Sequence, residues 1–294
     1  MNEHSFEGRV AIVTGAGRGI GRAHALLLAD RGAGVVVNDL GSSMGGEGAD
    51  AEPASTVAAE IVALGGAAIA DNSDVATTTG AQTLVDATVE RFGRVDILVN
   101  NAGIVRWAGF PEADAGNLDR HLAVHVGGSF NTTRAAWPHM VEQGYGRIVM
   151  TGSTGMFGLP NNLSYAAAKG AVVGLARSLA TAGAAYGIKV NVIAPAAVTR
   201  MAGRGPDIPE MAPELVAPMA AFLAHENCPV SGEIYTAGAG RFARLFIAST
   251  EGYLAPAATV EDIAANWATI NDETDYYVPA DLMAWSAAFT AHLS

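Results

Sequence analysis

The sequence predicts an α/β fold in which a mostly parallel, doubly wound sheet of seven strands carries helices on both faces. Short apolar runs of strand length alternate with longer helical patterns between residues 9 and 236. Several of these runs are continuously apolar, as expected where helices cover both faces of a parallel sheet. A glycine-rich turn directly follows the first run, at the sheet edge where such folds bind ligands.

Composition indicates a globular protein with a sizeable core, since half of the 294 residues are hydrophobic and only 16% are charged. A formal net charge of −12 argues against nucleic acid as the main partner, because phosphate binding needs a basic face. No apolar run reaches the roughly 18 residues of a membrane span, and residues 1–9 lack the apolar region of a secretory signal. The single Cys228 fits a reducing compartment. We therefore expect a cytoplasmic protein without a membrane partner.

The first elements have the pattern of a dinucleotide-binding unit. A strand at 9–14 leads into a glycine turn, and a helix follows at 22–30. Small residues let the backbone approach a pyrophosphate, and the helix N-terminus supplies amides and a dipole. A second strand at 34–37 ends near Asp39, about 20 residues beyond the turn, where a carboxylate accepts hydrogen bonds from ribose hydroxyls. The alternative is that Asp39 only forms a turn before Gly41.

The remaining elements continue the alternation as far as residue 237. We expect a surface loop at 41–53, helices at 54–64, 80–92, 117–143 and 213–224, a helix containing Tyr165, and strands at 67–70, 96–99, 147–150, 189–193 and 233–236. Residues 238–294 lack the alternation and predict a C-terminal extension with helices near 259–270 and 279–292. The prediction is one domain, with a core at 8–237.

Polar and small residues follow two of the predicted strands. Asp74 and Val75 come after the third strand, where they can meet an adenine edge, although Asp74 also suits a helix N-cap. The segment 100–103, Asn-Asn-Ala-Gly, follows the fourth strand and suits the crevice of a doubly wound sheet.

Tyr165 and Lys169 lie four residues apart in an alanine-rich helical pattern, so both side chains share one helix face. An ammonium within about 4 Å of a phenol contributes roughly 4 kcal/mol at an effective dielectric of about 20. That is enough to bring the pKa of a tyrosine near neutrality, where it can transfer a proton in both directions. Alone, the pair also fits a solvated helix face.

Four motifs in this order resemble the short-chain dehydrogenase/reductase family over residues 8–237. They are Thr14-Gly15-Ala16-Gly17-Arg18-Gly19-Ile20-Gly21, Asn100-Asn101-Ala102-Gly103, Ser153 before Tyr165-x-x-x-Lys169, and Asn191-Val192-Ile193-Ala194-Pro195. The resemblance implies a Rossmann fold, an acid/base role for Tyr165, a pKa-lowering and ribose-binding role for Lys169, and a substrate-polarising role for Ser153. It also implies an NAD site formed by Gly15, Gly17, Arg18, Gly19, Ile20, Gly21, Asp39, Asp74, Val75, Asn101, Ala102, Gly103, Tyr165, Lys169, Pro195 and Val198.

Within the family, the chain is most similar to the (3R)-hydroxyacyl-CoA dehydrogenase domain of peroxisomal multifunctional enzyme type 2 and its free-standing bacterial relatives. The resemblance rests on segments 37–41, 133–137, 146–151, 212–218 and 237–240. It implies a small-molecule substrate, most simply a (3R)-3-hydroxyacyl-CoA, and a homo-oligomer. A steroid, quinone or other ketone is the alternative substrate. A non-catalytic dinucleotide-binding regulator and an interaction module are the alternatives from other classes.

Three departures from the family pattern bear on the site. Ser153 lies 12 residues before Tyr165, one fewer than is usual, so Thr151 and Thr154 are reserve candidates. His125 replaces the asparagine that anchors a relay water. It follows His121 by four residues, but without a third ligand nearby we predict no metal. Arg200 stands where the family often has a threonine that binds the carboxamide, and Thr199 comes one position early.

Cofactor choice and substrate binding follow from charged and apolar residues. Asp39 would repel a 2′-phosphate, which favours NAD over NADP, although Arg18 favours NADP. Substrate-binding candidates are Arg200, Met201 and Arg204, with Arg241 and Arg244 nearby in the start of the extension; arginines can grip coenzyme A phosphates. The alternative is that these arginines offset local carboxylates or form a subunit contact.

Overall fold

The computed structural model describes residues 4–202 and 208–293. The chain divides between Arg244 and Leu245 into two compact units. The first unit contains the whole predicted core and the predicted binding and catalytic residues, apart from Arg204, which lies outside the described residues.

An eight-stranded sheet forms the centre of the first unit, in the order β3-β2-β1-β4-β5-β6-β7-β8. The strands are β1 (Val10–Thr14), β2 (Gly34–Asn38), β3 (Ala67–Asp71), β4 (Ile97–Asn100), β5 (Gly146–Thr151), β6 (Ile188–Pro195), β7 (Ile234–Gly238) and β8 (Arg241–Leu245). The first seven pair in parallel, and the order reverses between β1 and β4, which is where such sheets open a ligand crevice.

The eighth strand corrects the predicted count of seven, because β8 lies in the segment assigned to the extension. Only Ala239 and Gly240 separate it from β7, and both have positive φ, 51° and 69°. Two such residues make the tight turn of a hairpin, so β8 is the one antiparallel edge of this sheet.

Helices cover both faces of the sheet. They are α1 (Gly19–Asp30), α2 (Glu52–Ala63), α3 (Thr78–Phe92), α4 (Ala115–His121), α5 (Gly128–Gln143), α6 (Leu163–Gly183) and α7 (Ala217–Ala224). The long helix predicted at 117–143 is interrupted by a π-helical segment, Leu122–Gly127, that carries His125. Such segments commonly mark functional sites.

The core lies on both faces of the sheet, and every residue of β1, β4 and β5 is buried. The largest fully buried side chains include Ile12, Leu98, Ile148 and Ile193 from the strands and Leu28 from α1. Burial of each such side chain contributes about 1.5–3 kcal/mol, so the central strands are rigid supports for the loops that follow them. Within 4–202 and 208–293, no helix has the length and apolarity needed to cross a bilayer.

The second unit is small and has no buried residue in its helices. It contains α8 (Val260–Ala265), α9 (Trp267–Ile270) and α10 (Leu282–Phe289), together with an antiparallel pair of short strands, β9 (Ser249–Thr250) and β10 (Tyr276–Tyr277). The predicted helix at 259–270 is thus broken at Asn266. Thr259 and Asp262 form a reciprocal capping box that starts α8.

Candidate active site

Two cavities lie where the parallel strands end. The glycine-turn cavity, about 450 Å³, follows β1, β2 and β4, and the tyrosine cavity, about 230 Å³, contains Ser153, Tyr165 and Lys169. Five residues line both cavities: Ile20, Asn101, Gly103, Thr199 and Met201. Ligands in the two spaces would therefore be in contact.

Most of the predicted cofactor residues line the glycine-turn cavity. They are Gly15, Arg18, Gly19, Ile20, Gly21, Asp39, Asp74, Val75, Asn101, Ala102, Gly103 and Val198. Three of the others, Tyr165, Lys169 and Pro195, line the tyrosine cavity instead. Gly17 lies behind the cavity wall, where a Cβ would come within 2.6 Å of the Pro53 side chain.

The glycine turn is a close-packed cradle at the start of α1. Gly15 has φ +63°, and a Cβ there would lie 2.8 Å from the Ala102 backbone, so this position excludes a side chain. Helix α1 begins at Gly19, earlier than predicted, and its N-cap Arg18 provides no side-chain cap for the first amides. The first turn of α1 thus presents uncapped N–H groups and a positive dipole end at the cavity, which suits a pyrophosphate.

Asp39 joins the glycine turn to the end of β2. Its Oδ2 accepts from the Gly17 amide at 2.8 Å, and its Oδ1 accepts from the Gly41 amide at 2.7 Å. The side chain is buried but borders the glycine-turn cavity. Asp39 therefore makes the turn contact considered as an alternative, and it also occupies the position expected for a ribose ligand.

Asn101 and Thr14 cross-link β1 to the segment after β4. The side-chain Nδ2 of Asn101 donates to the backbone carbonyls of Thr14 and Gly15 at 2.9 and 3.1 Å. The Thr14 hydroxyl accepts from the backbone amides of Asn101 and Ala102. In the sequence, Thr14 stands out only as the first residue of the glycine-turn motif. In the structure, its hydroxyl fixes the floor of the crevice. The side chain of Asp74 accepts from the Ala76 amide and so stabilises a turn. The N-cap of α3 is Thr77 and not Asp74.

Residues 42–47 form a strap beside the glycine-turn cavity that three arginines hold. Arg106 donates to the Gly45 carbonyl at 2.6 Å, Arg120 to the Gly46 carbonyl at 2.7 Å, and Arg200 to the Ser42 carbonyl at 3.2 Å. The predicted surface loop is thus a fixed wall of the cavity. No local pattern indicated these contacts, because the arginines lie 61 to 158 residues away along the chain.

The predicted substrate residues fall in different places. Arg200 lines the glycine-turn cavity, where burial and the positive charge of Arg18 lower its pKa. Met201 lines both cavities, and Arg204 lies outside the described residues. Arg244 makes a two-pronged ion pair with Glu233, at 2.8 and 2.9 Å, as expected for an arginine that offsets a local carboxylate.

Ser153, Tyr165 and Lys169 meet in the tyrosine cavity. Tyr165 and Lys169 project from one face of α6, and the Ser153 hydroxyl lies beside the phenol and lowers its pKa. The Ser153 Oγ also accepts from the Gly155 amide at 3.0 Å, which fixes its rotamer. Lys169 donates to the Thr151 carbonyl at 2.7 Å. The shortened spacing before Tyr165 therefore still brings Ser153 to the phenol, and the reserve residue Thr151 serves Lys169 through its backbone.

Burial dominates the pKa values of this cluster. It raises the pKa of Tyr165, and only the Ser153 hydrogen bond opposes it, while burial lowers the pKa of Lys169 to about 7. The pKa of Tyr165 is raised rather than lowered in this structure, in which the Lys169 ammonium donates to the Thr151 carbonyl and lies 5.6 Å from the phenol ring centre. The pKa-lowering role of Lys169 stays a prediction.

His125 is a neutral, buried ring beside Tyr165. Its Nε2 lies 2.9 Å from the Ile104 carbonyl oxygen, and its Nδ1 has no partner among the described residues. Burial and then the charge of Lys169 hold the pKa of His125 well below its usual value. The ring stacks on His121 at 5.9 Å and meets Tyr165 edge-on at 5.4 Å. Across 4–202 and 208–293, no three His, Cys, Asp or Glu side chains are grouped to hold a metal ion.

One polar residue of the tyrosine cavity, Asn162, was not predicted to face a ligand, and a second, Thr151, was predicted only as a reserve for Ser153. Neither amide atom of Asn162 has a partner among the described residues, nor does the Thr151 hydroxyl, and both residues are buried. Leaving such a group unsatisfied costs about 1–3 kcal/mol. Asn162 directly precedes α6, so its sequence position resembles an ordinary N-cap and gave no functional signal.

Known proteins share this arrangement of motifs. Residues 9–205 match the family model described as short chain dehydrogenase. A short-chain type dehydrogenase/reductase of Mycobacterium tuberculosis is 44% identical over 269 residues, which are 90% of this chain and 94% of that protein. Peroxisomal multifunctional enzyme type 2 of Drosophila melanogaster is 42% identical over 91% of this chain, and the match spans 46% of that longer enzyme.

A solved structure extends the comparison to a bound cofactor. A 7α-hydroxysteroid dehydrogenase complexed with NADH and 7-oxo glycochenodeoxycholic acid superposes with a TM-score of 0.72 and 32% identity, over 80% of this chain and 95% of the other. Its fold and the motifs above agree with the family match. The chain therefore belongs to the short-chain dehydrogenase/reductase family of oxidoreductases, as the sequence predicted.

Proposed function

We propose that this oxidoreductase transfers a hydride between NAD and the secondary alcohol of a (3R)-3-hydroxyacyl-CoA. The observation that carries the proposal is the contact between the two cavities, which share five lining residues. A dinucleotide held by the glycine turn would place its reactive ring next to Tyr165 and Ser153. When bound, the nicotinamide supplies the hydride acceptor or donor, and the protein supplies position and proton transfer.

The protein's part begins with the phenol. In oxidation the Tyr165 oxygen takes the proton of the substrate hydroxyl, and in reduction it returns that proton. Ser153, which lies beside Tyr165, orients the same hydroxyl, and a protonated Lys169 favours the phenolate by its charge. Because the phenolate accepts the proton in oxidation and the phenol returns it in reduction, rising pH favours alcohol oxidation and falling pH favours ketone reduction. Burial raises the pKa of Tyr165 and so moves this change to higher pH.

Several observations support NAD as the cofactor. The glycine cradle and the uncapped start of α1 fit a dinucleotide, and a structural neighbour is complexed with NADH. Asp39 presents a carboxylate at the ribose position, where it would repel the extra phosphate of NADP. Arg18 and Arg200, which line the same cavity, would attract it, and we weigh Asp39 above them because both of its oxygens are anchored.

The proposal of a (3R)-3-hydroxyacyl-CoA substrate rests mainly on the names of similar proteins. Besides the fly enzyme, a yeast protein named peroxisomal hydratase-dehydrogenase-epimerase is 40% identical over 92% of this chain. The match covers 31% of the yeast protein. The tyrosine cavity has apolar walls suited to an acyl chain, including Val105, Trp107, Leu159 and Met201. The same walls suit a steroid, and the bile acid bound by the structural neighbour makes steroid oxidation the second candidate. A homo-oligomer and a cytoplasmic location are further proposals from family resemblance and composition.

The test compares kcat/KM for four compounds with NAD and with NADP. They are a (3R)-3-hydroxyacyl-CoA, its (3S) enantiomer, the free (3R) acid and a 7α-hydroxysteroid. We expect the first compound with NAD to give the highest value. A preference for the steroid selects the second candidate, and tight dinucleotide binding without turnover of any alcohol or ketone contradicts a catalytic role.

A further inference from the structure

Asn162 occupies a backbone position that is fixed on both sides. Its amide donates to the Leu159 carbonyl at 3.0 Å, its carbonyl accepts from the Ala166 amide at 3.1 Å, and it forms an isolated bridge with Ala108. The side chain therefore has a rigid base, three residues before Tyr165.

The side chain does not do what its position predicts. Asn162 is the N-cap of α6 but makes no cap hydrogen bond, whereas the N-caps Thr77, Asp114 and Asp281 each accept from a helix amide. Only 1% of Asn162 is exposed, and neither its Oδ1 nor its Nδ2 has a partner among the described residues. Since leaving a buried amide unpaired costs free energy, a group that binds it inside the cavity gains that energy back.

The surroundings identify where such a group would lie. Asn162 lines the tyrosine cavity together with Ser153 and Tyr165, and the Ser153 hydroxyl already accepts from the Gly155 amide. Lys169 is occupied by the Thr151 carbonyl. The Asn162 amide is thus an additional polar contact, beside the position where the reacting hydroxyl would bind.

The chemistry of the amide limits the ligand. A carboxamide is neutral and both donates and accepts, so it suits an uncharged carbonyl better than a carboxylate or phosphate. Lys169 is the one lysine or arginine among the described residues that line this cavity, and it lies beside Tyr165, so no other strong cation there would bind an anion. A substrate with a carbonyl near its carbinol carbon can use Tyr165 and Asn162 at once.

We propose that Asn162 is a specificity-determining residue that donates a hydrogen bond to a substrate carbonyl one methylene away from the reacting carbinol. The inference rests on the proposed dehydrogenase function and adds the residue that recognises the carbonyl of a β-hydroxycarbonyl substrate. In a 3-hydroxyacyl thioester, the group bound by Asn162 is the thioester carbonyl.

The test uses two substrates that differ only in that carbonyl: (3R)-3-hydroxybutanoyl-CoA and the matching (3R)-3-hydroxybutyl thioether of coenzyme A. Both are assayed with wild type, Asn162→Ala, Asn162→Leu and Asn161→Ala, with NAD affinity and Tm measured for each protein. Asn161 is the adjacent, exposed asparagine and serves as the matched control.

For Asn162→Ala we expect kcat/KM for the thioester to fall about tenfold to a hundredfold, and kcat/KM for the thioether to change by less than about threefold. NAD affinity stays unchanged. Tm stays level or rises in Asn162→Leu, because a buried unpaired amide is removed. Asn161→Ala leaves both substrates unchanged.

Three results would overturn the inference in distinguishable ways. An equal loss for both substrates, with a lower Tm, makes Asn162 structural. If the ratio of kcat/KM for the thioester to kcat/KM for the thioether is the same in wild type and Asn162→Ala, Asn162 does not bind the carbonyl. The proposed dehydrogenase function is not affected by that result. A wild type that oxidises neither compound with NAD or NADP refutes the proposed function itself, and the inference with it.

Discussion

The glycine-turn cavity and the tyrosine cavity differ in how their polar groups are satisfied. In the first, Asp39 and Asn101 make all their side-chain contacts with nearby backbone, and no lining residue has a buried side-chain N or O without a partner among the described residues. In the second, the Thr151 hydroxyl, the side-chain amide of Asn162 and the Nδ1 of His125 have no partner in the part of the chain that the structure describes. The side chains of the first are satisfied within the protein, and its free donors are the backbone N–H groups at the start of α1, whereas the second keeps side-chain polar atoms for a ligand, at a cost in stability.

The largest effect is expected at the phenol. Tyr165→Phe removes the proton acceptor from the tyrosine cavity and should lower kcat by about 10²- to 10⁴-fold, with dinucleotide affinity retained. Steady-state kinetics and a dinucleotide titration measure both quantities. Tyr186→Phe, at an exposed tyrosine beyond α6, is the control. Activity within about threefold of wild type would exclude Tyr165 as the acid/base.

Gly17→Ala should break the glycine-turn cavity without touching the tyrosine cavity. The new Cβ would lie 2.8 Å from Asp39 Oδ2 and 2.6 Å from Pro53 Cβ, so the turn must shift. Overpacking of this kind costs about 1–3 kcal/mol, and we expect dinucleotide Kd to rise by about tenfold or more. Gly174→Ala, in open space on α6, is the matched control and should leave Kd unchanged. Equal Kd values for both variants would contradict a preformed cradle.

Asp39→Ser sharpens the role of the carboxylate. Loss of its charge should raise the ratio of kcat/KM for NADP to that for NAD by about tenfold, since one like-charge contact is removed. Loss of its bonds to Gly17 and Gly41 should also lower Tm. Asp39→Asn, which keeps one acceptor oxygen, should recover part of the Tm. A wild type that prefers NADP would contradict the assignment.

His24 has unpaired polar atoms outside both cavities in the described part of the chain, so it should affect stability and not catalysis. It is buried in α1 with neither ring nitrogen paired among the described residues, and burial lowers its pKa to about 4. The unfolded chain binds a proton at higher pH than the folded one, so acidification from pH 7 to 5 should lower the free energy of unfolding by about 2 kcal/mol through this residue.

His24→Leu should remove that part of the pH dependence and leave kcat/KM unchanged, because His24 lines neither cavity. Urea unfolding at pH 5 and pH 7 measures the difference. His139→Leu, at a half-buried histidine on α5, is the comparison variant. An unchanged pH dependence in His24→Leu would show that His24 protonates without cost in the folded protein.

Features that depend on local geometry could be predicted from the sequence. The strand-turn-helix of the glycine motif, the seven parallel strands, and the shared helix face of Tyr165 and Lys169 all follow from the spacing of nearby residues. The family followed as well, because its motifs are short segments in a fixed order.

Features that depend on contacts between distant segments could not be predicted from the sequence. Arg200 meets Ser42 across 158 residues and so lies at the glycine-turn cavity. The pKa of Tyr165 rises because the fold buries the phenol, and the Lys169 ammonium donates to the Thr151 carbonyl; the spacing of Tyr165 and Lys169 alone gives neither result. Asn162 resembles a helix cap in sequence, and its role depends on which cavity closes around its amide.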